Sequence, residues 1–224
     1  MPWGRSFLFP DRKPEGPPED VILVHGIWMN SLELLPFGLR LKGHGFRVTY
    51  FNYHSILGTP AQAAEQLHGL IRSLKVERLH YVAHSLGGLV LMHLFEQFGD
   101  LPPGRVLMLG SPVGGSRLAR RIAASAIGRP LIGKSLERGL SGEVLPAWRG
   151  EREWAMFTGD RPFGIATLFG GLGEANDGAV TIEETRHPAQ KVHLTLPLNH
   201  LGLLYSSITP ALTAEFLWSG TLRG

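Results

Sequence analysis

The sequence predicts an α/β protein with a mostly parallel, doubly wound sheet of about six strands. Short β-rich runs alternate with longer segments of helical period, an alternation typical of βαβ units. Several strands are almost entirely apolar, as in residues 106–109, which suits strands covered on both faces. No change of composition divides the 224 residues, so we expect a single domain over 1–224.

The elements follow in chain order after a polar, proline-rich leader at residues 11–20. We predict strands near 21–25, 46–52, 78–83, 104–109, 152–158 and 190–196. Helices fit near 31–42, 60–74, 86–98, 116–127, 131–139 and 208–218. Ligand sites in such sheets lie beyond the carboxyl ends of the strands, so candidate chemistry is sought there.

Composition excludes several classes of function. Hydrophobic residues make up 43% and charged residues 18%, which is ordinary for a folded globular protein. The net charge is +3 and the basic residues are mostly spread along the chain, so nucleic-acid binding is not indicated. There is no cysteine, which excludes disulfides, thiol nucleophiles and cysteine metal sites. Met1 to Pro10 has too short an apolar run for a secretory signal, so a cytoplasmic protein is expected.

The strongest motif is Ala83-His84-Ser85-Leu86-Gly87, between a predicted strand and a predicted helix. It fits a small-x-Ser-x-Gly nucleophile elbow, in which a sharp turn exposes the serine hydroxyl. Ala83 replaces the first glycine of the usual pattern. Leu86 would open the helix and direct its backbone N–H toward a substrate oxyanion. The alternative is a plain turn with a helix-capping serine.

A second motif, His25-Gly26-Ile27-Trp28, ends the first strand. An oxyanion hole takes its second N–H donor from the loop after such a strand, and we assign that donor to Ile27. Gly26 would let the loop bend, and Trp28 would stand at the pocket mouth as a substrate-binding residue. An ordinary strand-to-helix turn is compatible with this assignment.

These two motifs resemble the α/β-hydrolase superfamily, and especially small bacterial lipases and esterases with a His-Gly-Ile loop and an Ala-His-Ser-x-Gly elbow. Residues 199–207, Asn-His-Leu-Gly-Leu-Leu-Tyr-Ser-Ser, are similar to the segment that carries the catalytic histidine of those enzymes. The resemblance spans roughly residues 20 to 218, and it implies that His200 is the base.

The residues lead to the same histidine, because His200 follows the last predicted strand and so lies at the carboxyl edge. His25 and His84 belong to the two motifs, where the backbone matters more than the ring. The other histidines fall in helices, turns or strands, where a surface or hydrogen-bonded role is expected: His44, His54, His68, His80, His93, His187 and His193.

Asp177 is the candidate acid. It lies in Asn176-Asp177-Gly178-Ala179-Val180, between the last two strands, and Asp-Gly-x-Val resembles the acid motif of the lipase-like branch. A carboxylate there would hold the tautomer of the imidazole. Asp160, directly after the fifth predicted strand, is the rival, since some members of the fold place the acid there. An Asn-Asp-Gly turn alone also accounts for these residues.

Residues 113–150 form a long connection, which the simplest small lipases lack. Apolar residues recur at Leu118, Ile122 and Ala126, with basic residues clustered between Arg117 and Arg138. One interpretation is a helical cap, apolar inward and basic outward, that favours acyl chains or anionic lipid surfaces. The other is an ordinary amphipathic helix with solvated arginines. Contact with a membrane surface is therefore not indicated.

We thus expect a serine esterase or lipase with Ser85, His200 and Asp177 as its triad, acting on a small-molecule or lipid-like acyl ester. No metal or cofactor is needed, and no metalloprotease, P-loop or EF-hand motif is present. A thioesterase, amidase or acyltransferase would use the same triad. A non-catalytic, ligand-binding hydrolase fold is the alternative from another class.

Overall fold

The computed structural model describes residues 17–149 and 152–222. Residues 1–10, most of the predicted leader and residue 150 at the end of the predicted cap lie outside the described residues. The segment 113–149 is called the cap below.

A six-stranded parallel sheet forms the centre of the fold, as predicted. Its strands are β1 (Glu19–Val24), β2 (Phe46–Phe51), β3 (Leu79–His84), β4 (Val106–Leu109), β5 (Trp154–Gly159) and β6 (Val192–Leu196). They lie in the order β2-β1-β3-β4-β5-β6, and every pairing is parallel. The chain therefore moves outward from β1 to β2 and then returns to β3 on the other side. This reversal makes the carboxyl ends of β1 and β3 a topological switch point.

Helices cover both faces of the sheet. They are α1 (Leu35–Gly43), α2 (Pro60–Leu74), α3 (Leu86–Gln97), α4 (Arg117–Ala123), α5 (Arg129–Ile132), α6 (Gly202–Tyr205) and α7 (Ile208–Ser219). In β1, Ile22 and Val24 join the core under α2 and α3, whereas Val21 and Leu23 join the core under α1 and α7. Both faces are apolar, which explains why the strands read as continuous hydrophobic runs.

The structure differs from the sequence-based prediction mainly in the cap. The helix predicted over 131–139 is instead α5 followed by a 3-10 helix at Gly133–Leu136. Gly133 has a φ of +58°, a left-handed conformation that interrupts an α-helix. The helix predicted over 116–127 ends at Ala123. The predicted first helix begins with a 3-10 turn at Ser31–Leu34.

In the part of the chain that the structure describes, every helix is too short or too polar to cross a membrane.

Candidate active site

Ser85 occupies the single-residue turn between β3 and α3. Its φ is +54° and its ψ is −124°, a strained conformation for a residue with a side chain. The Ser85 N–H donates to the Leu109 carbonyl of the neighbouring strand at 2.9 Å, which fixes the turn at the carboxyl edge of the sheet. Leu86 is the first residue of α3, where backbone N–H groups have no partner within the helix.

Two glycines after Ser85 explain why the motif needs small residues. A Cβ on Gly87 would lie 2.7 Å from the carbonyl oxygens of both Val24 and His25. A Cβ on Gly88 would lie 2.3 Å from the Ser111 Oγ. The first turn of α3 therefore packs directly against the ends of β1 and β4, so larger residues would displace the serine.

The loop after β1 lies against Ser85. A Cβ on Gly26 would be 3.0 Å from the Ser85 Cβ, so the loop backbone passes immediately beside the serine. The His25 ring holds this loop: its Nδ1–H donates to the Gly26 carbonyl at 2.8 Å, and its Nε2 accepts from the Tyr53 N–H at 3.2 Å. Burial lowers the pKa of His25, which favours this neutral form.

Ile27 and Trp28 continue the loop. Ile27 is partly buried against the core. Trp28 has a φ of +59° and a side chain that is 41% exposed. Its N–H donates to the Ser55 Oγ at 3.1 Å, and its indole Nε1–H donates to the Leu131 carbonyl of the cap at 2.7 Å. The indole N–H of Trp28 thus has its hydrogen-bond partner within the protein.

His200 and Asp177 form a hydrogen-bonded, partly buried pair at the same edge of the sheet. The His200 Nδ1–H donates to the Asp177 Oδ2 at 2.7 Å, and the His200 N–H donates to the Asp177 carbonyl at 2.7 Å. Asp177 is completely buried, and its Oδ1 accepts from the N–H groups of Ala179 at 3.0 Å and Val180 at 2.8 Å. These bonds fix the position of the carboxylate and of the ring that it holds.

Asp160, the rival candidate, takes no part in this pair. Its side chain is 42% exposed and lies 3.5 Å from the Arg161 Nε. The loop that carries Asp177 packs over the end of β5, where a Cβ on Gly159 would be 2.9 Å from the Asp177 Cβ. The carboxylate bound to His200 therefore comes from that loop rather than from the residue after β5.

Gly110 brings the pair close to the elbow. This residue follows β4 with a φ of +55°, and a Cβ on it would lie 2.9 Å from the Asp177 Oδ2 and 3.0 Å from the His200 Nδ1. It also follows Leu109, whose carbonyl accepts from the Ser85 N–H. Sequence reasoning did not single out Gly110. The sequence signal that could have identified it is a glycine directly after an apolar strand.

The ring of His84 also has a role that sequence reasoning missed. Its Nε2–H donates to the His200 carbonyl at 3.2 Å, and the two rings lie 4.6 Å apart. Burial, and then the neighbouring His200, hold the pKa of His84 well below its usual range. A neutral ring one residue before Ser85 thus braces the main chain of His200, as well as forming part of the elbow.

The cap is fastened to the domain by its basic residues. Arg117 donates to the Glu174 carboxylate at 2.6 Å, and Arg121 donates to the Phe169 carbonyl at 2.7 Å. Within the cap itself, Arg120 donates to the Ser141 carbonyl at 2.9 Å. Leu118 and Ile122 are buried beneath. These arginines therefore hydrogen-bond neighbouring protein groups at exposed positions of the cap.

Several solved structures share this fold. The mature lipase BlEst2 of Bacillus licheniformis matches with a TM-score of 0.72 and 18% identity, covering 91% of this chain and 94% of that chain. The Paleococcus ferrophilus monoacylglycerol lipase matches with a TM-score of 0.66 and 17% identity, over 92% and 97%. The metagenomic carboxyl esterase MGS0156 matches with a TM-score of 0.64 and 17% identity, over 92% and 77%.

Comparison with curated proteins finds no match. The family described as "Alpha/beta hydrolase family" matches residues 21–214, a range that runs from β1 into α7 and includes the elbow and the Asp177–His200 pair. The chain therefore belongs to the alpha/beta hydrolase family.

Proposed function

We propose that the protein is a serine hydrolase that cleaves carboxylic esters through an acyl-enzyme. The observation that carries this proposal is the partly buried Asp177–His200 hydrogen bond of 2.7 Å at the sheet edge where the strained Ser85 turn lies. An oriented imidazole at the same sheet edge as a serine on a strained turn is the arrangement that acyl transfer requires. The family membership supports the same reaction class.

In the first step, the His200 Nε2 takes the Ser85 hydroxyl proton as Oγ bonds to the ester carbonyl carbon. The carbonyl oxygen becomes an oxyanion, for which the Ile27 and Leu86 amides are the proposed donors. Collapse of this intermediate breaks the bond to the alcohol oxygen, which receives the proton from His200. An acyl-Ser85 ester remains.

In the second step, His200 removes a proton from a water molecule as that water attacks the acyl-Ser85 carbonyl. Collapse of the second intermediate breaks the bond to Oγ, returns the proton to Ser85 and releases the acid. Asp177 accepts the Nδ1–H throughout, so the ring keeps Nε2 free to act as base and its cationic form is stabilised. No cofactor enters this sequence.

An ester is the proposed substrate because the neighbouring structures are named as a lipase, a monoacylglycerol lipase and a carboxyl esterase. The substrate class is therefore a small-molecule or lipid-like acyl ester.

The test is turnover of p-nitrophenyl esters of increasing chain length by the wild type and by Ser85→Ala. We expect Ser85→Ala to lose activity by about 10⁶-fold, because the nucleophile is removed. Ser73→Ala is the control, since Ser73 Oγ bonds only the Leu70 carbonyl on the exposed side of α2. Retained activity in Ser85→Ala would refute the proposal. If a matched thioester or anilide were turned over faster than the ester, that class of compound would replace the ester as the proposed substrate.

A further inference from the structure

We infer that Trp28 is a positioning residue that couples the cap to the oxyanion loop, through a closed circuit of hydrogen bonds that includes Ser55 and Ser135. The inference rests on the proposed function and gives Trp28 a role beyond lining the pocket mouth. The oxyanion loop is defined here as residues 25–28.

The circuit joins three segments that are far apart in the chain. The Trp28 N–H donates to the Ser55 Oγ at 3.1 Å, in the loop after β2. The Ser55 carbonyl accepts from the Ser135 Oγ of the cap. Within the cap, Leu131 lies four residues before Ser135, and its carbonyl accepts from the Trp28 indole N–H at 2.7 Å. The circuit thus returns to the residue at which it began.

The serine part of the circuit is sheltered from solvent, whereas the bond from the Trp28 indole to the Leu131 carbonyl is exposed. Ser135 is fully buried and Ser55 is 6% exposed, so neither hydroxyl exchanges freely with water. A parallel bond, from the Lys134 N–H to the Ile56 carbonyl at 2.9 Å, holds the same two segments together. The cap is therefore fixed to the loop after β2, and Trp28 is bound to both.

This arrangement determines the orientation of the proposed oxyanion donor. The Ile27 N–H belongs to the same peptide unit as the Gly26 carbonyl, which the His25 ring holds at 2.8 Å. The next peptide unit carries the Trp28 N–H, which Ser55 holds. The Ile27 N–H is thus held at its own peptide unit, through the Gly26 carbonyl, and at the next one, through the Trp28 N–H. Because Trp28 has a φ of +59°, its conformation persists only where surrounding bonds enforce it.

A positioning role and a substrate-contact role predict different kinetics. If Trp28 orients the Ile27 donor, its loss weakens transition-state binding and lowers kcat while KM stays nearly constant. If the indole only contacts substrate, its loss raises KM, and the increase grows with acyl-chain length.

The first variant is Trp28→Phe, which keeps an aromatic ring and removes the indole donor. We expect kcat on p-nitrophenyl butyrate to fall about 10-fold, with KM changed less than about twofold, since small displacements of reacting groups cost up to about 10²-fold. Trp218→Phe is the matched control, because it removes an indole bond to the His44 carbonyl of 3.2 Å in a partly buried setting on α7. This control should keep the wild-type kcat.

The second variant is Ser135→Ala, which lies within the cap and loses its bond to the Ser55 carbonyl. We expect a similar fall in kcat, and the double variant Trp28→Phe/Ser135→Ala should lose little more than either single variant, because both open one circuit. Ser73→Ala again serves as the control for removal of a hydroxyl bonded to a main-chain carbonyl. If Trp28→Phe does not fold, Ser135→Ala decides the question by itself.

The inference is overturned if Ser135→Ala keeps the wild-type kcat, or if Trp28→Phe raises KM with chain length at constant kcat. The inference is also overturned if the fold-losses in kcat of the two single variants multiply in the double variant. The proposed function fails in a different way, through a wild type that does not turn over the ester at all.

Discussion

At the scale of single residues, the candidate site depends on three histidines with different tasks. The His25 ring holds the loop after β1, the His84 ring braces the His200 main chain, and His200 binds Asp177. The position of His200 could be predicted, because it follows the last strand within a recognisable segment. The ring contacts of His25 and His84 could not, because a local motif does not report side-chain bonds to distant residues.

Asp177→Asn tests the acid. The amide removes the charge and disturbs the bond that holds the His200 Nδ1–H, so kcat/KM for an ester should fall by about 10⁴-fold at neutral pH. Asp160→Asn should remain at the wild-type rate, since its carboxylate is exposed and away from the His200 ring. Steady-state kinetics of the two variants separate the candidates. Equal activity of Asp177→Asn and wild type would mean that the pair is only structural.

At the scale of elements, the strands and long helices follow from hydrophobic periodicity, but the attachment of the cap does not. Gly133 ends α5 early, and Arg117 and Arg121 of the cap bind a carboxylate and a carbonyl in another segment. Those partners lie tens of residues away, so periodicity carries no information about them. The same holds for Glu184, a buried residue that sequence reasoning did not single out.

Glu184 joins the cap to the acid loop, defined here as residues 176–185, which includes Asp177. Its Oε1 accepts from the Arg117 N–H at the start of α4, and its Oε2 accepts from the Thr181 N–H at 2.8 Å. Glu184→Gln leaves only one acceptor oxygen for two backbone donors, so the free energy of unfolding should fall by about 1–3 kcal/mol. Urea denaturation measures this change.

Glu183→Gln is the matched control for that variant. The Glu183 side chain is 73% exposed and lies 3.5 Å from Arg186, so its loss should change the free energy of unfolding by less than about 0.5 kcal/mol. If the two variants had equal stability, Glu184 would not join the cap to the acid loop in any energetic sense.

At the scale of the whole molecule, both faces of the sheet are covered by helices, and several histidines are buried in neutral form. Burial is the main cause that lowers the pKa of His25, His80 and His84. The sheet and its coverage could be predicted from apolar strands that alternate with helices. The strand order could not, because periodicity does not reveal which strands are neighbours.

The lowered pKa values of these buried histidines predict how the free energy of unfolding depends on pH. In the unfolded chain they protonate near pH ~6.5, whereas the folded protein keeps them neutral to lower pH. The unfolded state therefore binds more protons as the pH falls. Their contribution to stability is full above pH ~6.5 and declines below it. We expect a lower urea midpoint at pH 5.5 than at pH 7.5.

Two variants check that this pH dependence comes from buried rings. His80→Gln, at the amino end of β3 and so away from the site, should reduce the difference between the two midpoints. His54→Gln should leave the difference unchanged, because His54 is exposed. A midpoint that rises on acidification would contradict the expected sign.

The most direct test of the central claim is the site at which a fluorophosphonate reacts with the folded protein. The probe phosphonylates an activated serine and releases fluoride, and peptide mass spectrometry identifies the modified residue. We expect a single adduct on Ser85, formed much more slowly in Asp177→Asn. An adduct on another residue, or no adduct on the folded wild type, would contradict it.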